Sequence, residues 1–131
     1  MNRLKPALRV LLALAMIAVG VQHFTNPTFF VRIVPPWVPD AGLAVAVSGV
    51  AEVLGGLGLL IRRTRVAAAW GLIALYVAVF PANVHMAVNH IQPGPSPVSA
   101  WAAWARLPFQ AVFIAWAWWN TRPDAPRAPA R

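Results

Sequence analysis

Two charged side chains lie inside apolar stretches of this sequence, and they are the first candidates for chemistry. Glu52 is the one charge between Ala41 and Ile61, and Arg106 interrupts the last apolar segment. A helix from Ala41 to Ile61 rises about 31 Å, enough to cross the hydrocarbon core of a bilayer. A carboxylate near mid-membrane costs several kcal/mol unless it is protonated, paired or wetted, so it marks a functional-site hypothesis. The first prediction is therefore a pair between Glu52 and Arg106.

Further polar side chains follow the same segments and extend this pair into a pocket. Gln110 comes four residues after Arg106, so the two share one helix face and reach the same cavity. Pro81 removes a backbone donor and should kink its helix just before Asn83. His85 points to nearly the opposite face from Asn83, and Asn83 is favoured for the pocket. The predicted ligand-binding residues are His23, Glu52, Asn83, Arg106 and Gln110.

A polar pocket in an apolar wall suits a small ligand with an apolar body and carbonyl or hydroxyl oxygens. A quinone headgroup has that character, and His23 and Glu52 beside it could carry protons. The alternative is a Glu52–Arg106 pair that only registers helices, although buried pairs contribute little net stability. No metal is predicted, because no two histidines have the i, i+4 spacing of a preorganised site. No intrinsic cofactor is evident, and the catalytic residues stay unknown.

The composition indicates a membrane protein of one domain covering residues 1–131. Of its 131 residues, 60% are hydrophobic and 11% are charged, whereas soluble domains devote about 25% to charge. The formal net charge of +8 does not indicate nucleic-acid binding, because the basic residues lie at the ends of apolar runs. Anionic lipid headgroups are the expected neighbours of this charge. Without cysteines, the chain has neither disulfides nor thiolate ligands.

Four apolar segments predict an all-α fold, an integral membrane four-helix bundle. The expected helices cover about 7–24, 41–61, 66–88 and 98–119, and the proline-rich tail 120–131 is expected to be disordered. Asp40 should cap the second helix. A signal peptide is the alternative for the first segment, but its apolar region continues into Phe29-Phe30-Val31, so an uncleaved helix is preferred.

Basic residues give the orientation, since cytoplasmic ends of membrane proteins carry an excess of Lys and Arg. Three precede the first helix, three separate the second from the third, and three follow the fourth: Arg3, Lys5, Arg9, Arg62, Arg63, Arg65, Arg122, Arg127 and Arg131. Both termini should therefore be cytoplasmic, with the polar pocket on the outer side. The stretch from Phe29 to Trp37, which contains Pro35-Pro36, is predicted to cover this side as an interfacial lid segment.

Five motifs together resemble one known family. They are Gly20-Val21-Gln22-His23-Phe24, Ile33-Val34-Pro35-Pro36-Trp37, Ser48-Gly49-Val50-Ala51-Glu52-Val53-Leu54-Gly55-Gly56, Pro81-Ala82-Asn83-Val84-His85-Met86 and Arg106-Leu107-Pro108-Phe109-Gln110. From about residue 10 to 119 the chain resembles the DoxX-like family of small bacterial four-helix membrane proteins. Some relatives are subunits of a thiosulfate:quinone oxidoreductase, and others are called redox-associated membrane proteins. His85 departs from the Tyr associated with its place in the family.

The resemblance implies a multi-pass protein of the bacterial inner membrane with a role in quinone-linked redox chemistry. The leading hypothesis is a membrane subunit that binds a quinone or similar lipophilic molecule and acts with a soluble or membrane oxidoreductase partner. The alternative is a non-catalytic structural or assembly protein. A transporter is less favoured, because four short helices leave little room for alternating access. The partners expected are thus the lipid bilayer, an oxidoreductase and, if the chain forms a homo-oligomer, further copies of itself.

Overall fold

The computed structural model describes residues 3–124 and shows an all-α chain. Three of its helices, Leu4–Thr25, Ala41–Leu60 and Arg65–Val88, are long and apolar enough to cross a membrane. The fifth helix is equally long, but it does not reach the same mean hydropathy because it carries tryptophans, Arg106 and Gln110. No strand occurs in the described part. The helices are α1 Leu4–Thr25, α2 Pro27–Ile33, α3 Ala41–Leu60, α4 Arg65–Val88 and α5 Ala100–Thr121.

The four long helices pack in the order α1, α3, α4, α5, each along the next. One apolar core joins all four and comprises Leu12, Ala13, Met16, Leu59, Ala69, Leu72, Tyr76 and Ala117. Glycines of α3 let its neighbours come close. A Cβ on Gly56 would lie 2.7 Å from the Ala13 carbonyl oxygen of α1, and one on Gly55 would lie 2.5 Å from a methyl carbon of Leu72 in α4. Glycines of α3 therefore allow close packing against both α1 and α4.

Asp40 begins α3 in the manner that the sequence predicts. Its side chain accepts a hydrogen bond from the backbone N–H of Leu43 at 2.9 Å, which satisfies one of the free donors of the first turn. Ser99 does the same for α5, where its hydroxyl oxygen accepts from Ala102 at 3.4 Å. Both caps lie at the end of the molecule that holds the candidate site.

The opposite end is held together by charge. Asp124 accepts from Arg9, and it lies 3.0 Å from the Arg65 guanidinium and 3.4 Å from the Lys5 ammonium. Lys5 also donates to the backbone carbonyl of Arg122 at 2.7 Å. The beginnings of α1 and α4 and the end of α5 therefore meet at one end, which brings Lys5, Arg9 and Arg65 together around Asp124.

The end of α5 corrects the expected boundary of the tail. The helix continues to Thr121, and Asn120 is only 1% exposed because its side chain binds both Arg9, at 2.9 Å, and the Trp116 carbonyl oxygen, at 2.9 Å. Residues up to Asp124 are thus fixed by partners on other helices. Residues 125–131, the rest of the predicted disordered tail, lie outside the described residues.

Candidate functional site

A cavity of about 200 Å³ lies at the end opposite the charged network. It is lined by the last turns of α1, the first half of α3 and the part of α4 around Pro81, and Arg106 of α5 reaches its wall. The lid segment covers it: α2 contributes Phe30 and Ile33, and the irregular stretch that follows contributes Pro35 and Trp37. Most of the lining is apolar. The polar side chains in the wall are His23, Ser48, Glu52, Asn83 and Arg106.

His23 and Glu52 meet across the α1–α3 contact. Nδ1 of His23 lies 2.9 Å from the Val19 carbonyl oxygen, one turn earlier in α1, so this nitrogen carries the ring hydrogen and donates it there. The same nitrogen lies 3.2 Å from Oε2 of Glu52. That distance fits an ion pair, but the hydrogen is directed at Val19, and Oε2 has no hydrogen-bond partner within residues 3–124. The two side chains are 8% and 10% exposed.

The predicted pair between Glu52 and Arg106 is not formed. No nitrogen of Arg106 comes within 4.0 Å of a carboxylate in the described chain, and Glu52 contacts His23 instead. The reason is the packing order, because α3 packs against α1 and α4 whereas α5 packs against α4. The Arg106 guanidinium contacts the Met86 sulfur at 3.9 Å and lies over the Phe29 ring, 6.0 Å from its centroid. Glu52 and Arg106 share the cavity from different walls.

Two glycines bring His23 and Glu52 together. A Cβ on Gly49 would lie 2.7 Å from the His23 Cβ, and one on Gly20 would lie 2.8 Å from the Gly49 carbonyl oxygen and 3.0 Å from the Val53 nitrogen. The backbones of α1 and α3 therefore approach as closely as glycine allows. Phe30 of the lid segment then covers the histidine, with the two rings stacked at 3.8 Å between centroids. The imidazole is held from both sides.

Asn83 and Gln110 meet beside the proline of α4. Asn83 donates from Nδ2 to Oε1 of Gln110 at 2.8 Å, and Gln110 in turn donates to the Tyr76 carbonyl oxygen. Val77 is the residue after Tyr76, and its carbonyl lacks the usual intrahelical donor because Pro81 has no N–H. Asn83 lines the cavity, and Gln110, which does not line it, holds the Asn83 side chain through this hydrogen bond. Four of the five predicted site residues thus line one cavity, and the fifth holds one of them in place.

His85 lies outside the cavity, as its position two residues from Asn83 suggests. Its Nδ1 donates to the Ile33 carbonyl oxygen at 3.2 Å, at the end of α2. Arg32 donates to the Pro93 carbonyl oxygen at 3.2 Å. These two hydrogen bonds tie the lid segment to α4 and to the loop that precedes α5. The role of His85 in the fold is therefore to hold the lid segment.

The sequence reasoning missed two features of the polar structure. Ser48 lines the cavity one turn before Glu52, and its hydroxyl donates to the Ala44 carbonyl oxygen at 2.8 Å. The i, i+4 spacing of the two residues was the available signal. Arg9 was counted as a flanking charge, but it is 4% exposed and binds Asn120 and Asp124. Only the tertiary contact with α5 reveals this second buried polar cluster.

Comparison with known proteins places the chain in a family. The fold and cavity define a small all-α protein with helices apolar enough for a membrane. The chain belongs to the family described as a domain of unknown function, DUF8561, which it matches over residues 12–121. This range includes every cavity-lining residue and the whole lid segment. No match was found among curated proteins or among solved structures.

Proposed function

We propose that the protein is an integral four-helix membrane protein that binds a quinone or a similar lipophilic carbonyl compound in the cavity. The observation that carries the proposal is the cavity itself, in which His23, Glu52, Asn83 and Arg106 interrupt an apolar wall. Ligand sites are typically apolar clefts in which a few polar groups fix the orientation of the ligand. Within residues 3–124, Oε2 of Glu52 is buried without a hydrogen-bond donor, which a purely structural cluster would not be expected to retain.

The outer surface supports a position in the bilayer. Large apolar side chains on α1 and α3 face away from the protein, among them Leu11, Leu14, Val47 and Leu54, each more than half exposed. Such contiguous apolar surface needs a lipid or protein neighbour. The fourth span of this proposal is α5, whose Trp101 and Trp118 are exposed near its two ends, as in the aromatic belts of membrane proteins. We infer both termini to be cytoplasmic, in a bacterial inner membrane.

The size and chemistry of the cavity suit a single substituted ring. Its volume of about 200 Å³ is several times the share of one water molecule in the liquid, ~30 Å³. The apolar side chains would contact the ring, and the polar groups on opposite walls would contact its oxygens. Trp37, which is 70% exposed and also lines the cavity, stands where the isoprenoid or acyl part of such a ligand would leave.

The redox-associated role rests on the resemblance to the DoxX-like family. A chain without cysteines has no thiol centre of its own, so electrons would reach a bound quinone from a soluble or membrane oxidoreductase partner. His23 and Glu52, which meet at the cavity wall, would exchange protons with the ligand oxygens. The protein is proposed as the membrane subunit of such a system.

Ligand-induced stabilisation tests the proposal. A ligand that binds only the folded protein at 100 times its Kd adds about 2.7 kcal/mol to the free energy of unfolding. Short-chain quinones and their hydroquinones should therefore raise the thermal midpoint of the purified protein in detergent. Arg106→Met should reduce the rise, whereas Asp124→Asn, at the other end of the molecule, should leave it unchanged. If no compound of either oxidation state shifts the midpoint, the cluster is structural and the proposal fails.

A further inference from the structure

The polar groups around the cavity are unevenly divided between acceptors and donors. His23 directs its Nδ1 hydrogen at Val19, so Nε2 is an acceptor when the ring is neutral. Ser48 commits its hydroxyl hydrogen to Ala44, so its oxygen can only accept from a ligand. Asn83 commits one N–H to Gln110, and its Oδ1 has no hydrogen bond within the described chain. The wall formed by α1, α3 and α4 therefore presents mainly acceptors.

In its ionised form, Glu52 is the strongest of these acceptors. The residue is 8% exposed, and its Oε2 is buried without a hydrogen-bond donor within residues 3–124. The nearest polar hydrogen, on His23 Nδ1, is directed at the Val19 carbonyl. Buried polar atoms in folded proteins are nearly always hydrogen-bonded. This oxygen is therefore available to a donor group on a ligand.

Arg106 is the main donor, and it lies on another wall. Its guanidinium carries five N–H groups, yet its contacts are a methionine sulfur at 3.9 Å and the face of Phe29. No carboxylate of the described chain lies within ion-pair distance of it. The free N–H groups suit an oxygen that accepts hydrogen bonds. The Glu52 side of the cavity therefore suits a donor group of a ligand, and the Arg106 side suits an acceptor group.

We propose that the cavity selects a ligand with a hydroxyl donor at the Glu52 end and an oxygen acceptor at the Arg106 end. This rests on the proposed function and specifies its ligand: the reduced, hydroquinone form binds more tightly than the quinone. A quinone has only acceptor oxygens, so it leaves Oε2 of the ionised Glu52 without a donor. A hydroquinone donates one hydroxyl hydrogen to Glu52, and its other oxygen accepts from Arg106.

The test compares four compounds that share one ring. Tetramethylhydroquinone, its monomethyl ether, its dimethyl ether and tetramethylquinone are titrated into the purified full-length protein in detergent without oxygen, and binding is followed by calorimetry. Sites built to bind a hydroxyl strongly reject analogues that lack it, so the hydroquinone should bind about tenfold or more tighter than the quinone. The monomethyl ether keeps one donor and should bind nearly as well. The dimethyl ether has no donor and should bind as weakly as the quinone.

Variants assign the preference to Glu52. Glu52→Leu should reduce the ratio of hydroquinone to quinone affinity to about one, since the acceptor is gone. Glu52→Gln keeps the shape of the side chain but adds a hydrogen-bond donor, so it should reduce the ratio of hydroquinone to quinone affinity. This variant supplies the test if Glu52→Leu does not fold. Asp124→Asn removes a carboxylate from the opposite end and should keep the parent ratio.

The possible outcomes separate this inference from the proposed function. Equal or tighter binding of the quinone by the parent would overturn the hydroquinone preference and leave the quinone-binding function standing. A full parent ratio in Glu52→Gln would also overturn it, because the selection would then come from another residue. Failure of all four compounds to bind would overturn the preference and the proposed function together.

Discussion

Oε2 of Glu52 lies 3.2 Å from Nδ1 of His23, and this contact joins α3 to α1 at the wall of the cavity. It replaces the Glu52–Arg106 pair that the sequence suggests, because α1 and not α5 is the close neighbour of α3. The buried acid is thus positioned by a group that can itself gain and lose a proton. The stability of the protein should reflect which residue is its partner.

A double-mutant cycle measures the coupling energy between Glu52 and His23. Glu52→Leu combined with His23→Phe should show a coupling energy of about 0.5–3 kcal/mol, the range for residues in contact. Glu52→Leu combined with Arg106→Met should show a smaller coupling, because those side chains do not touch. Unfolding by SDS in mixed micelles supplies the free energies. A larger coupling with Arg106 would contradict the contact described here.

Gly49→Ala should destabilise the protein and move His23. The new Cβ would lie 2.7 Å from the His23 Cβ and 2.8 Å from a ring carbon of Phe24, so α1 and α3 must separate. Overpacking of this kind costs about 1–3 kcal/mol. Gly71→Ala in α4 is the matched control, since a Cβ there meets nothing within 4 Å, and it should be neutral or stabilising by up to about 1 kcal/mol. Equal changes in stability for Gly49→Ala and Gly71→Ala would contradict the close α1–α3 contact at Gly49.

Asp124 should make stability depend on acid pH. The hydrogen bond from Arg9 lowers the pKa of its carboxyl below the ordinary value of 3.8, and the charges of Lys5 and Arg65 act in the same direction. Because the folded-state pKa is depressed, the stabilisation is complete above the unfolded-state pKa and is lost as the pH falls below it. The thermal unfolding midpoint of the parent should therefore exceed that of Asp124→Asn by a constant amount above about pH 5, and the difference should shrink below about pH 4. A constant difference down to the lowest pH would contradict the network.

The proposed orientation is tested with fusions to alkaline phosphatase, which is active only outside the cytoplasm. The charged network places the basic starts of α1 and α4 and the end of α5 together, as the positive-inside rule requires. A fusion after Thr121 should be inactive, and fusions between Gln92 and Ser99 should be active. The reverse pattern would place the cavity on the cytoplasmic side.

The positions of the polar residues could be foreseen because helix period and alternating direction fix faces and ends. His23 lies near the end of α1, Asn83 follows Pro81 in the second half of α4, and Arg106 lies in the first half of α5, so all three had to lie at the same end of the molecule as the site. Side-chain partners could not be foreseen, because they depend on which helices are neighbours and how closely they approach. Glu52 met His23 since Gly20 and Gly49 allow close packing.

The second polar cluster shows the same limit more clearly. Arg9 looks like one of several flanking charges in the sequence, and its burial follows only from the position of Asn120 on α5, more than one hundred residues later. No local pattern connects the two. The helix boundary at Thr121 had the same origin, since proline-rich composition marks the tail but tertiary contacts decide where it starts.

The α1–α3 wall of the cavity and the lid segment are held by different kinds of contact, and this difference bears on how fast a ligand could enter or leave. The wall between α1 and α3 is in backbone contact at its glycines, so it cannot open without separating two long helices. The lid segment is held to its surroundings by two side-chain hydrogen bonds, from Arg32 to Pro93 and from His85 to Ile33. Opening on this side also separates the stacked rings of Phe30 and His23 and withdraws Ile33 from its buried cluster with Met86, but it leaves the four long helices in place. For the proposed ligand, substitution of Arg32 or His85, which do not line the cavity, should therefore change the exchange rate more than the affinity.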